Sequence, residues 1–150
     1  MDEINIHIAD EREREQAAVL LAGSEPWITL GISLEQCQRT CHDPEYMIYI
    51  AYTGLKPSGI IILDPRGVAG SPYIKSIAVY PEFRSLGVGS AILSYAEGLF
   101  RGKAKFMFLC VSSFNHRAQK FYEDKGYRVA GRFEDYIIQG ESEILMLKRL

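Results

Sequence analysis

The chain has 150 residues, 47% hydrophobic and 24% charged, with a formal net charge of −2. One domain over residues 1–150 is expected, long enough to bury a core without disulfide or metal support, and its interleaved charges lack the concentrated basic face of a nucleic-acid binder. No stretch approaches the roughly 18 apolar residues of a membrane span and the first ten residues carry no secretory pattern, which makes the cytoplasm the expected compartment.

Ile4, Ile6 and Ile8 alternate with polar neighbours, as in a strand buried on one face. Asp10 with Glu13 three residues on forms a capping-box pattern, and Ala17, Leu20 and Leu21 give the helix it opens an apolar stripe. The mixed-sign run 10–15 reads as the solvated start of that helix. Residues 23–26 break it. Ser33 with Gln36 opens a second, short helix that ends before Pro44. Three cysteines, Cys37, Cys41 and Cys110, read as reduced thiols. Cys37, Cys41 and His42 have helix-face spacing, but no second ligand pair follows, and no metal is expected.

Residues 46–53 read as a strand, 54–57 as a turn and 59–63 as a nearly continuous apolar strand. Pro65, Gly67 and Gly70 make 64–72 a loop. Another strand over 73–80 is closed by Pro81, and 87–100 carries Ile92, Tyr95, Ala96 and Leu99 at helical spacing. Residues 106–111 are apolar throughout, as a central parallel strand requires, and Cys110 within them reads as core rather than nucleophile. A helix over 115–125 stops at Gly126, and strands over 127–138 and 143–148 join in a hairpin around Gly140. The order is β-α-α-β-β-β-α-β-α-β-β, an α/β (α+β) arrangement.

The strongest local signal is Val79-Tyr80-Pro81-Glu82-Phe83-Arg84-Ser85-Leu86-Gly87-Val88-Gly89, between a strand and a helix. Pro81 cannot continue the ladder. Gly87 and Gly89 permit positive φ and close approach of a ligand, and the free N–H groups of the following helix start suit a pyrophosphate. Arg84 can add a charge-assisted contact. A P-loop is excluded because no Lys follows, and a dinucleotide fingerprint because Ile92 stands where a small residue is needed. A plain glycine turn remains an alternative. So does a simple cap for Asn115 and a core role for Tyr122, which lie about 10 Å apart on one helix face.

Taken together, Val79-x-Pro81-x-x-Arg84-x-x-Gly87-x-Gly89, Asn115-x-x-Ala118 and Phe121-Tyr122-x-x-x-Gly126-Tyr127 resemble the GCN5-related N-acetyltransferases (GNAT). The final strand 143–148 is similar to that family's last strand, and the likeness covers 46–150, with 1–45 matching by element order only. The resemblance implies a mixed, mainly antiparallel sheet of six to seven strands flanked by about four helices and opened into a V where the strands ending at Tyr80 and Val111 diverge.

It also implies an acetyl-coenzyme A (acetyl-CoA) site. Backbone amides of Leu86, Gly87, Val88, Gly89 and Ser90 would hold the pyrophosphate, with Arg84 and Ser85 shaping the loop. Ile77, Ala78 and Val79 would face the pantetheine arm, the Val79 N–H polarising the thioester carbonyl. Asn115 would bond the same arm, and Tyr122 would give its proton to the departing thiolate. A thiol of pKa about 8.5 leaves more easily beside such a hydroxyl. The amine must attack neutral, although a lysine-like amine has a pKa of about 10.4, yet the strand 73–80 holds no carboxylate. Glu25, Tyr73, Glu134 or a water chain could serve as base.

The acceptor wall is expected around Glu25, Trp27, the tyrosines Tyr46, Tyr49 and Tyr52, and residues 133–136, where acidic and aromatic groups would suit a cationic amine. His7, His42 and His116 read as surface or cap residues. Direct acetyl transfer to a small-molecule or peptide amine, without metal or covalent enzyme intermediate, is the expected activity. A non-catalytic acyl-CoA sensor and a transferase of bulkier acyl groups are the alternatives. The strand 143–148 or a helix face offers a surface for a homodimer.

Overall fold

The computed structural model describes residues 2–150. Seven strands, β1 (Ile4–Ile8), β2 (Met47–Thr53), β3 (Lys56–Val68), β4 (Ser71–Val79), β5 (Phe106–Ser112), β6 (Arg128–Phe133) and β7 (Glu143–Arg149), form one sheet in the order β1-β2-β3-β4-β5-β7-β6. Five helices accompany it: α1 (Glu11–Ala22), α2 (Trp27–Leu30), α3 (Leu34–Cys41), α4 (Val88–Phe100) and α5 (His116–Asp124). Every neighbouring strand pair is antiparallel except β4 and β5.

Local chemistry sets several boundaries. The Asp10 carboxylate accepts from the Glu13 N–H at 2.8 Å while the Glu13 carboxylate accepts from the Asp10 N–H at 3.0 Å, completing the capping box of α1. Ser33 and Gln36 do the same for α3. Three expectations need correction. The single turn of α2 was not anticipated; Pro26 and a left-handed Gly31 bracket it, so residues that break the preceding helix delimit a new one. The segment 64–72 is not a loop, because β3 runs to Val68 and β4 begins at Ser71. Ala69 and Gly70, both at positive φ, form the two-residue turn between them, and Pro65, which has no N–H to give, falls in a register slip where the ladder needs none. Finally, β6 ends at Phe133, and the connection to β7 is a loop in which the Asp135 carboxylate accepts from the Gly140 N–H at 2.7 Å.

The sheet is covered on both faces, which explains how Ile60, Ile61, Ile62 and Leu63 can all be fully buried. Ile60 and Ile62 join Ile48, Ile50, Ala17, Leu21 and Cys37 beneath α1 and α3. Ile61 and Leu63 join Ile92, Leu93, Met107, Leu109 and Tyr122 beneath α4 and α5. Successive residues of one strand thus serve two cores.

At its centre the sheet opens. The parallel strands β4 and β5 pair only at Tyr73↔Phe108 and Ile74↔Leu109. Just past that point the register of β4 against β3 slips, with Ser76 opposite Ile62 and Ile74 opposite Leu63, so Lys75 is an extra residue. Such a bulge bends its strand. From there β4 leaves β5, as a V-shaped sheet requires.

Helix α4 holds the diverging half of β4 against β3 through a close approach at Gly59. A Cβ there would lie 2.7 Å from Ile92 Cδ1, 3.0 Å from the Ala78 carbonyl oxygen and 3.2 Å from Val88 Cγ1. Gly59→Ala is therefore expected to cost about 1–3 kcal/mol by overpacking, read as a lower urea midpoint. An unaltered midpoint would mean that α4 moves aside freely.

Candidate active site in the gap between two parallel strands

The Tyr80 N–H donates to the Ser58 carbonyl at 2.9 Å. Backbone polar groups of successive strand residues point to opposite sides, so Ile77 and Val79 turn theirs away from β3 and into the gap. Arg84 Nε donates to the Val79 carbonyl at 3.2 Å, which pins the guanidinium to the end of β4. A 3₁₀ turn over Pro81–Phe83 leads on to Ser85 and Gly87, both at positive φ. Gly87 is the N-cap of α4 and offers no side-chain cap. The first intrahelical bond runs from the Ala91 N–H to the Gly87 carbonyl, leaving the amides of Val88, Gly89 and Ser90 without intrahelical partners.

Helix α5 lies beside this turn. Arg117 Nη2 donates to Ser85 Oγ at 3.0 Å, and a Cβ on Gly89 would lie 3.6 Å from the Phe121 ring. Asn115 caps α5, its Oδ1 accepting from the Ala118 N–H at 3.2 Å. One turn of amides without intrahelical partners, two guanidinium groups and the start of α5 therefore converge past the end of β4.

Deeper in the gap is a cavity of about 740 Å³. Ile77, Asn115 and Tyr122 line it, whereas the residues from Val79 to Ser90 do not. Tyr122 is 5% exposed and packs edge-on against Phe121 and Tyr127. Burial alone pushes its phenol pKa up, with no hydrogen bond contributing. It therefore stays protonated, a donor facing the cavity.

Of the residues expected at the acceptor end, Glu25, Trp27 and Tyr73 line the cavity. The Glu25 carboxylate accepts from the Thr29 hydroxyl at 2.7 Å and the Thr29 N–H at 2.9 Å, and these bonds hold its pKa below the usual range. Tyr73 is shifted the other way, first by burial and then by the neighbouring Cys110. Glu134 is exposed and outside the cavity; Phe133, Tyr136 and Ile137 stand in the wall instead. The other tyrosines are elsewhere. Tyr49 packs on Tyr95 in the core, Tyr52 donates to Glu13 at 2.8 Å, and Tyr46 lies under the Lys75 ammonium. No histidine lines the cavity: His7 faces Glu13, His42 faces Glu11 and Glu15, and His116 is exposed.

Cys110 corrects the core assignment. Met107, Leu109 and Val111 enter the core beneath α4 and α5, so the intervening Cys110 points to the opposite side and lines the cavity. An all-apolar strand hides this alternation. The sequence reading also missed Glu143, at the start of β7, which faces the same cavity and accepts from Ser112 Oγ at 2.6 Å. A carboxylate heading an apolar strand was the available signal.

The acetyltransferase (GNAT) family model matches residues 8–127. Over 82 residues the chain is 37% identical to an uncharacterised N-acetyltransferase of Methanocaldococcus jannaschii, a match covering 53% of each protein, so the chain spans about half the length of this curated relative. Among solved structures, a GNAT-family protein from Desulfovibrio desulfuricans superposes with a TM-score of 0.81 at 15% identity over 98% of this chain and 99% of that one. A protein assigned as a streptothricin acetyltransferase from Bacillus anthracis, solved with acetyl coenzyme A, gives 0.65 at 26% identity over 75% of this chain and 66% of its own.

Burial raises the Cys110 thiol more than the adjacent Tyr73 hydroxyl lowers it. Since the thiolate is the nucleophile, Cys110 should react with iodoacetamide at pH 7.5 roughly tenfold or more slowly than an exposed thiol, and faster as pH rises. Peptide mapping by mass spectrometry measures this. Rapid labelling at neutral pH would contradict the raised thiol.

Proposed function

We propose, from the premise that this chain belongs to the acetyltransferase (GNAT) family, that it moves an acetyl group from acetyl-CoA to a primary amine by direct attack in a ternary complex. The observation that carries this reading is the Tyr122 phenol. It is buried, kept protonated and without an internal partner, on the wall of the gap where β4 has left β5.

The residues present fit the coenzyme. An uncapped helix start preceded by a left-handed Gly87 leaves amides for the pyrophosphate, and Arg84 and Arg117 bring positive charge to its two sides. Backbone groups of Ile77 and Val79 supply an unfilled strand edge for an extended arm bearing amides. The Val79 carbonyl is already shared with Arg84, so the Val79 N–H and the backbone of Ile77 have the larger part in that pairing. Asn115, committed to capping α5, would contribute by fixing the helix that carries Tyr122 seven residues later. The thioester of the coenzyme, when bound, supplies an activated acetyl group. Val79 N–H would polarise its carbonyl, and Tyr122 would hand a proton to the sulfur. Similarity to a neighbour solved with acetyl coenzyme A supports the choice of donor.

Tyr122→Phe is expected to lower kcat by about a hundredfold or more while acetyl-CoA affinity stays nearly unchanged, measured by thiol release over a panel of amines and by calorimetric titration of the coenzyme. Parent-like turnover in the variant would remove Tyr122 from the acid role. Coenzyme binding by the parent with no transfer to any amine would favour the sensor.

A further inference from the structure

Glu97 and Glu143 are both buried, in opposite circumstances. Glu97 of α4 accepts from Lys148 Nζ at 3.0 Å and from the Tyr127 hydroxyl at 2.8 Å. Its charge is matched. Glu143, 9% exposed, has one side-chain donor, Ser112 Oγ directly opposite it on β5, and no basic group contributes to its titration. It faces the cavity that also holds Tyr122. A buried carboxylate lacking a cation is costly unless a ligand supplies one.

The surroundings of Glu143 define what that ligand would be. Tyr73 of β4 and Cys110 of β5 face it, and both are pushed toward their neutral forms by burial and by the nearby Glu143 carboxylate. Lys75 also borders the cavity, but its ammonium sits over the Tyr46 ring. Phe133 is the register partner of Glu143 on β6 and packs on Tyr136, while Trp27 stands on the α2 side. The wall beside Glu143 is aromatic; the cavity's other carboxylate, Glu25, is exposed and committed to Thr29, so Glu143 is the buried, unmatched negative charge.

We propose, resting on the transferase reading above, that Glu143 is the catalytic base: it binds the acceptor's ammonium group and takes its proton, and the acceptor is a monoamine with an apolar or aromatic body. The ammonium gives one proton to Glu143. Its freed lone pair forms the N–C bond as the C–S bond breaks, the nitrogen releases its second proton, and the thiolate takes one from Tyr122. Tyr122 and Glu143 then return to their starting states with a net release of one proton to solvent. Burial holds the Glu143 pKa above the usual carboxylate range although the Ser112 bond lowers it, which brings the base nearer to the amine it must deprotonate.

The test compares the full-length parent, Glu143→Gln and Ser112→Ala, following thiol release from acetyl-CoA with phenethylamine, butylamine and spermidine between pH 6 and 10, and coenzyme binding by calorimetry. Glu143→Gln should bind acetyl-CoA like the parent yet lose about a hundredfold or more of kcat/KM with phenethylamine near neutrality, the deficit narrowing as pH rises and the free amine forms unaided. Ser112→Ala, which removes the bond that lowers the carboxyl pKa, should move the acidic limb of the rate profile to higher pH. Phenethylamine should exceed spermidine by about tenfold or more, because the aromatic wall beside Glu143 has no second buried carboxylate for further ammonium groups, Glu25 being exposed and held by Thr29. Parent-like rates for Glu143→Gln, or a deficit that stays constant with pH, would overturn the base. Preference for spermidine would overturn the substrate class. Coenzyme binding by the parent without transfer to any of the three amines would sink the proposal and leave the coenzyme site standing, whereas failure to bind the coenzyme would sink both.

Discussion

Strands β4 and β5 share two register pairs and then separate, so the far half of β4 carries main-chain groups with no strand to receive them. In an interior, such groups need partners. The extra residue at Lys75 turns β4 away at the same place, and α4 packs through Gly59 against the diverging half. Everything assigned to the site follows from that separation. The gap admits an extended ligand, the turn at its outer end presents amides, and α5 closes it with Tyr122.

Electrostatics then divides the gap into two ends of different character. At the outer end, Arg84, Arg117 and the uncapped start of α4 concentrate positive charge on an exposed surface. Within, Tyr73, Cys110 and Tyr122 are neutral at physiological pH because burial disfavours their ionised forms. A polyanionic donor and a cationic acceptor would therefore approach from opposite sides, the donor's phosphates staying at the basic turn and the acceptor's ammonium giving its proton to Glu143 among neutral neighbours, a suitable setting for a reaction between a thioester and an uncharged amine.

Much of this was legible in the sequence because it depends on short-range chemistry. Capping boxes at Asp10 and Ser33, the Pro81 stop, the glycines at 87 and 126 and the alternation of Ile4, Ile6 and Ile8 report local backbone preferences, and the corresponding elements are present, although Ile8, at the end of its strand, is exposed rather than buried. What could not be read was side-chain direction in strands that are apolar on both faces. Residues 106–111 give no alternation to say which side is core, so Cys110 was placed inwards. The wall was harder still. Glu143 meets Ser112 across a register that only the sheet defines, and Glu134 and Tyr136 differ by two positions in a loop whose path depends on Asp135 and Gly140. Proline and glycine misled in the other direction at 64–72, where a slipped register accommodates Pro65.

The wall proposed to face the acceptor draws on α2, which has no buried residue, and on β6 with its following loop, whose residues are half-buried or exposed. The two cores are built mainly on β2, β3, β4, β5 and β7 and the helices that cover them. Amino-acid exchange at the exposed Phe133 or Tyr136 would reshape the wall with little penalty to folding, whereas Trp27 also packs against the core beneath α1 and α3. Under the proposed function, selectivity would rest mainly on parts of the polypeptide that foldability does not need, and descendants of this chain could drift toward new acceptors while inheriting the same turn and gap.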